Sequence, residues 1–358
     1  MSTIPTTQTA AVVSSAGANV EIRTDHPVKS QKDLAPGECL VKLHCTGVCH
    51  TDLHAALGDW PVPAKTPLVG GHEGVGVIVA IGDNTTASPV KIGDRVGIKW
   101  LADSCLNCEQ CRKGREQSAY CLNAKLSGFS VDGTFQQYVV SFVNHVTPIP
   151  EGIDSNAAAS ILCAGVTVYR AIKYSQTTPG DWIVLPGAGG GLGHLAIQYA
   201  KVFGLRVIAV DTGADKKKLC LELGADAWVD FRESKDIVAD IRAITDGLGA
   251  HSAVVTAATG EGYKQAVDYL RGGGTLMAVG LPGKAVLEAS IWFTVFKSIS
   301  ILGSYVGNRR DSEEAVAIAA QGKVKCYYQL KELKDLANVY QGLTEGTVAG
   351  RVVLEMPS

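Results

Sequence analysis

The chain has 358 residues, 46% hydrophobic and 19% charged, which suits two folded domains and excludes a disordered polymer. A net charge of −2 argues against nucleic acid or an anionic membrane surface as the main partner. No apolar run reaches the ~18 residues of a membrane span. Along the first part, short alternating runs broken by Gly and Pro predict a β-rich domain, with strands at 38–44, 75–81 and 95–99. Lys91-Ile-Gly-Asp-Arg-Val96 has the chemistry of a tight bend.

Near residue 165 the texture changes. Trp182–Leu185 reads as a buried strand that enters a glycine turn, Gly187-Ala-Gly-Gly-Gly-Leu-Gly193. A helix-period stretch, 195–203, follows and stops at Gly204. The next strand, 206–210, closes on Asp211; a helix at 215–223 ends at Gly224. Further strands are predicted at 252–256, 274–279 and 299–303, then one or two helices and a final strand, 351–355. Alternating strand and helix predicts a doubly wound parallel sheet.

The glycine turn departs from the strict G-x-G-x-x-G spacing by one residue. Its position between strand and helix still predicts a pyrophosphate cradle of backbone N–H groups. Gly187, Gly189, Gly190, Gly191, Leu192 and Gly193 form it, with Lys216 nearby. A carboxylate at Asp211 would accept hydrogen bonds from the adenosine ribose and repel a 2′-phosphate, favouring NAD over NADP. The bland alternative has Asp211 capping the next helix.

Ten cysteines divide into two arrangements and a remainder. The first nineteen residues lack Lys and Arg, so no secretory or mitochondrial leader is read and a cytosolic protein is expected. There, cysteines indicate metal or buried thiols rather than disulfides. Cys105, Cys108, Cys111 and Cys121 are tightly spaced and suit a closed tetrahedral zinc–sulfur site; an iron–sulfur cluster or a redox thiol set is the alternative. Cys49, His72 and Cys163 are dispersed. Two thiolates and a neutral imidazole leave one zinc position open for a substrate oxygen. Taken singly, each has an ordinary packing explanation.

These features together resemble the zinc-dependent medium-chain alcohol dehydrogenases, especially the yeast and fungal ethanol-oxidising type. The resemblance runs through Gly47-Val-Cys-His-Thr-Asp-Leu-His54, Gly58-Asp-Trp-Pro61, Leu68-Val-Gly-Gly-His-Glu-Gly74, Leu162-Cys-Ala-Gly-Val-Thr-Val168 and Gly303-Ser-Tyr-Val-Gly-Asn-Arg309. It implies an α/β architecture: a GroES-like β-rich catalytic domain, 1–164 and 306–358, with a zinc lobe near 103–123, and a Rossmann NAD-binding domain at 165–305. It also implies two zinc ions per subunit, NAD, a small primary alcohol or aldehyde as substrate, and a homotetramer.

By the same resemblance, Cys49, His72 and Cys163 are catalytic zinc ligands, with Glu73 beside the metal and Asp52 orienting the histidine. Thr51 takes the alcohol's proton and His54 ends the relay to solvent. His50 and Arg351 lie near the pyrophosphate, and Val279 and Leu281 belong to the cofactor site. Trp60, Trp100 and Leu281 narrow the substrate pocket; the two tryptophans have an alternative place in the core. The chain departs from the pattern in two places. A two-residue insertion precedes Cys121, with Leu126-Ser-Gly128 fixing that cysteine as the ligand, and Leu57 replaces a second histidine. Two other readings follow: a related enzyme for larger or secondary alcohols or polyols, and a zinc-binding interaction protein on an inactive dehydrogenase scaffold.

Overall fold

The computed structural model describes residues 4–113, 118–257, 259–282, 285–348 and 350–357. The chain divides into two compact units. The first comprises Met1–Cys163, Gly307–Gly322 and Cys326–Ser358; the second comprises Ala164–Val306 and Lys323–Lys325. No helix among the described residues is long and apolar enough to cross a membrane.

In the first unit the organising strand is Glu38–Val48. It pairs antiparallel with Gly74–Ile81, Tyr138–Phe142 and the last strand, Arg351–Glu355. Its alternating side chains Cys39, Val41 and Leu43 pack with Ile78, Val96, Ile98 and Val139 in one core cluster. Alternation buries one face and leaves Lys42 and His44 exposed. A separate cluster joins Val12, Val48, Leu53 and Val352 to the helix Leu336–Glu345.

A helix interrupts this β-rich unit where sequence periodicity gave no warning. His50–Leu57 follows directly on the central strand, and Gly58 ends it in a left-handed conformation. Its start has a local logic: the Asp52 carboxylate accepts from the Cys49 backbone N–H at 2.8 Å.

The second unit carries a six-stranded sheet in the order Ala227–Asp230, Arg206–Asp211, Trp182–Pro186, Ala250–Val255, Leu270–Ala278, Ser300–Gly303. Every pairing is parallel. In chain order this reads 3-2-1-4-5-6, the doubly wound dinucleotide arrangement. Trp182–Pro186 is buried along its whole length, as a central parallel strand with both faces covered must be. The edge strand Ala227–Asp230 was not anticipated; only Val229 is buried in it, so its hydrophobic signal is weak. Lys323–Lys325 joins this unit because Gln198 bonds both the backbone N–H and the carbonyl of Lys325, at 2.7 and 2.9 Å.

Candidate active site

Cys49 sits where the central strand of the first unit becomes a helix, His72 in the segment before Gly74–Ile81, and Cys163 in a π-helical turn, Ile161–Gly165. π-Turns recur at functional sites because they redirect a side chain that an α-turn would misplace. Ligand atoms of Cys49, His72, Glu73 and Cys163 all lie within 4.8 Å of one another. The two sulfurs are 4.0 Å apart, and His72 Nε2 is 3.2 Å from Cys163 Sγ. With Zn–S bonds of about 2.3 Å, the edge of a tetrahedron is ~3.8 Å, so the donor set fits a zinc ion.

The histidine among these donors has a buried carboxylate behind it. Asp52 Oδ1 lies 2.7 Å from His72 Nδ1, leaving Nε2 for the site. Burial pulls the His72 pKa down, but Asp52 and then Cys49 more than offset it, and the net shift is upward. The Cys49 thiol is held well below its usual range, first by its hydrogen bond with Cys163. A divalent cation takes its cysteine ligands as thiolates and its histidine ligand neutral, so binding here releases protons.

Glu73 is fully buried and ion-paired with Arg351 through Oε1. Its other oxygen, Oε2, has no hydrogen-bond partner, and a carboxylate oxygen of Glu73 belongs to the donor cluster. Gly47 makes room for it: a Cβ there would come within 2.0 Å of Oε2. Arg351 reaches this carboxylate because Val352 pairs with Val48, which places the arginine beside the Cys49 end of the central strand.

Trp100 is buried and meets His72 edge-on at 5.1 Å. Half-buried Trp60 stands edge-on to Trp100 at 6.2 Å. Phe129, which sequence reasoning overlooked, completes the cluster at 5.8 Å from Trp60 and 5.6 Å from Trp100. Only the folding of a distant loop brings it there. Thr51 is partly exposed and His50 exposed. The His54 ring stacks on Trp60, and its Nδ1 lies 2.9 Å from Asp59, another residue with no advance signal. Leu281 belongs to the second unit and is 67% exposed.

Cys105, Cys108, Cys111 and Cys121 also converge within 4.8 Å. Sulfur separations of 3.5, 3.6 and 4.0 Å again fit a tetrahedron about zinc and are far too long for a disulfide. Cys108 N–H donates to Cys105 Sγ, as suits a thiolate ligand. Of the longer gap before Cys121, residues 114–117 lie outside the described residues.

In the second unit the glycine turn connects Trp182–Pro186 to the helix Gly193–Val202, with Leu192 immediately before the helix. A Cβ at Gly193 would approach the Gly187 carbonyl oxygen to 2.1 Å, so only glycine allows this tight packing. Asp211 accepts from Gly189 N–H and Lys216 Nζ, both at 2.9 Å. It does not cap the following helix, whose preceding residue is Gly213 with no side-chain cap. Val279 is buried just past the strand Leu270–Ala278.

Comparison with known proteins agrees with this geometry. A family model described as zinc-binding dehydrogenase matches residues 191–321, and one described as alcohol dehydrogenase GroES-like domain matches residues 35–151. Alcohol dehydrogenase 1 of Emericella nidulans is 48% identical over 355 residues, 99% of each chain. The crystal structure of the alcohol dehydrogenase from the archaeon Aeropyrum pernix superposes with a TM-score of 0.86 at 31% identity, covering 97% of this chain and 99% of that one. Acetophenone reductase from Geotrichum candidum, solved in complex with NAD, gives 0.85 at 27% identity, covering 99% and 98%. The chain therefore belongs to the zinc-binding alcohol dehydrogenase family.

Proposed function

We propose that this protein interconverts ethanol-sized primary alcohols and their aldehydes with NAD. The observation that carries the reading is the Cys49–His72–Cys163 donor set with the Trp60–Trp100–Phe129 wall in the same unit. Those three ligands would hold a catalytic zinc with Glu73 beside it, and the four lobe cysteines a structural one. Zinc supplies Lewis acidity toward an alcohol oxygen, and NAD accepts the hydride.

The chain's own residues handle the proton and the shape of the site. Thr51 takes the alcohol's proton and passes it outward to His54, whose ring Trp60 and Asp59 hold. An imidazole suits that task because it exchanges protons near neutral pH. Trp60 and Trp100 limit the substrate to short unbranched chains. Gly187 to Gly193 receive the pyrophosphate, Asp211 and Lys216 the ribose, and Val279 and Leu281 the nicotinamide end. On this reading the first unit is the catalytic domain and the second the NAD-binding domain.

The enzyme is assigned to the cytosol and to a homotetramer. Self-association is supported by exposed Ile291, Trp292, Val295 and Phe296 close in sequence to the edge strand Ser300–Gly303. Light scattering tests the tetramer. The activity is tested by mixing zinc-loaded protein, NAD and ethanol and following NADH absorbance. No turnover at two zinc ions per chain would sink the reading. A panel of longer, branched and polyhydroxy alcohols separates it from the related enzyme for larger substrates.

A further inference from the structure

Asp211 does not stand alone at the end of its strand. Its register partner on the neighbouring parallel strand, Ala227–Asp230, is a second carboxylate, Asp230. Parallel pairing puts the two backbones about 4.8 Å apart. Both acids bond the same two-residue link, Thr212-Gly213, which leads into the helix Ala214–Glu222. Asp211 Oδ1 accepts the Thr212 N–H at 2.9 Å, and Asp230 Oδ2 accepts the Gly213 N–H at 3.1 Å. The second oxygen of Asp230 accepts the Arg232 N–H at 2.9 Å. Lys216, in the first turn of the helix, pairs with Asp211 at 2.9 Å.

Backbone N–H groups at the start of a helix, with a lysine beside them, are what a phosphate group needs. Here the Thr212 N–H, the Gly213 N–H and Lys216 Nζ each already serve a carboxylate. Bulk does not close the turn, because a Cβ built at Gly213 would meet no atom within 4 Å. We propose that Asp230 is a second determinant of cofactor choice. With Asp211 it excludes a 2′-phosphate on the adenosine ribose, by charge and by occupying the donors of this turn. The proposal rests on reading Asp211 as the ribose acid. A 2′-phosphate hangs from the oxygen that such an acid engages. It would reach this turn carrying roughly 1.5 to 2 negative charges. Removing Asp211 alone frees Lys216 and the Thr212 N–H. It leaves Asp230 charged and the Gly213 N–H taken.

The test uses the zinc-loaded full-length protein and titration calorimetry with two probes, ADP-ribose and 2′-phospho-ADP-ribose. Neither probe carries nicotinamide, so the measurement is independent of turnover. The quantity read is the ratio of the two affinities in the same protein, which cancels any general loosening of the turn. Asp230→Asn keeps an acceptor for the Gly213 N–H and removes the charge. Added to Asp211→Ser, it should shift the ratio toward the phosphorylated probe at least about tenfold beyond Asp211→Ser alone. Ionic strength gives a second reading on the unaltered protein. Its preference for ADP-ribose should narrow as salt rises, since charge repulsion is screened and a steric barrier is not. A double variant with the same ratio as Asp211→Ser would overturn the proposal, as would a native preference insensitive to salt. Unchanged affinity for both probes in Asp211→Ser would instead remove the ribose reading beneath it.

Discussion

His72 Nδ1 lies 2.7 Å from Asp52 Oδ1, and both side chains are almost completely buried. The other oxygen of the same carboxylate accepts from Cys49 N–H at 2.8 Å. One acid thus aligns two residues of the dispersed donor set, and a helix N-terminus holds the acid in place.

Asp52→Asn should expose this dependence. An amide offers one acceptor and one donor where two acceptors are required, so either His72 or Cys49 faces a donor. Affinity for the catalytic zinc should fall ten- to a hundredfold, measured by chelator competition, with kcat/KM falling alongside. Unchanged zinc affinity would remove Asp52 from this role.

Cys49→Ala should abolish alcohol oxidation while leaving NAD affinity within about twofold, a change worth ~0.4 kcal/mol. The thiolate belongs to the first unit, and the glycine turn and Asp211 belong to the second. NADH formation and titration calorimetry with NAD check the two halves. A variant with full activity would show the dispersed site to be wrongly assigned.

Asp211→Ser should weaken NAD and relax the discrimination against NADP. The carboxylate repels a 2′-phosphate, and its removal frees Lys216, now 2.9 Å from it, to meet that phosphate. The ratio of kcat/KM for NADP over NAD should rise at least about tenfold, which is ~1.4 kcal/mol. An unaltered ratio would dismiss Asp211 as the selector.

Trp60→Ala should widen the substrate range. Each methylene that a hydrophobic pocket accepts or rejects is worth roughly 1–3 kcal/mol. Relative to ethanol, kcat/KM for a branched or secondary alcohol should therefore rise at least about tenfold. If ethanol and the branched alcohol lose activity equally, Trp60 is supporting the fold rather than shaping the pocket.

How much was legible in the chain depended on the reach of the chemistry. The glycine turn, its flanking strand and helix, and Asp211 could be read together because a βαβ unit writes its strand, turn and helix in consecutive residues. Elements with weak local signals were missed: the half-exposed edge strand Ala227–Asp230, and the helix His50–Leu57, whose short span hides its period. Cys49, His72 and Cys163 have no local pattern as a set. Their combination was suggested by resemblance, whereas the tight cysteines suggested a metal by spacing alone.

By itself, then, the sequence determined which donors exist, where strands alternate with helices, and that four cysteines stand close enough to share an ion. Tertiary structure alone decided what stands beside them. It joined Arg351 to Glu73 across the chain, placed Phe129 against Trp60 and Trp100, and brought His145 under Ser104. The physical reason is that a metal ligand is chosen by side-chain chemistry, which the sequence states outright. The partner of a buried charge or hydroxyl is whichever group strand register and loop packing deliver, and those are fixed only when the core closes.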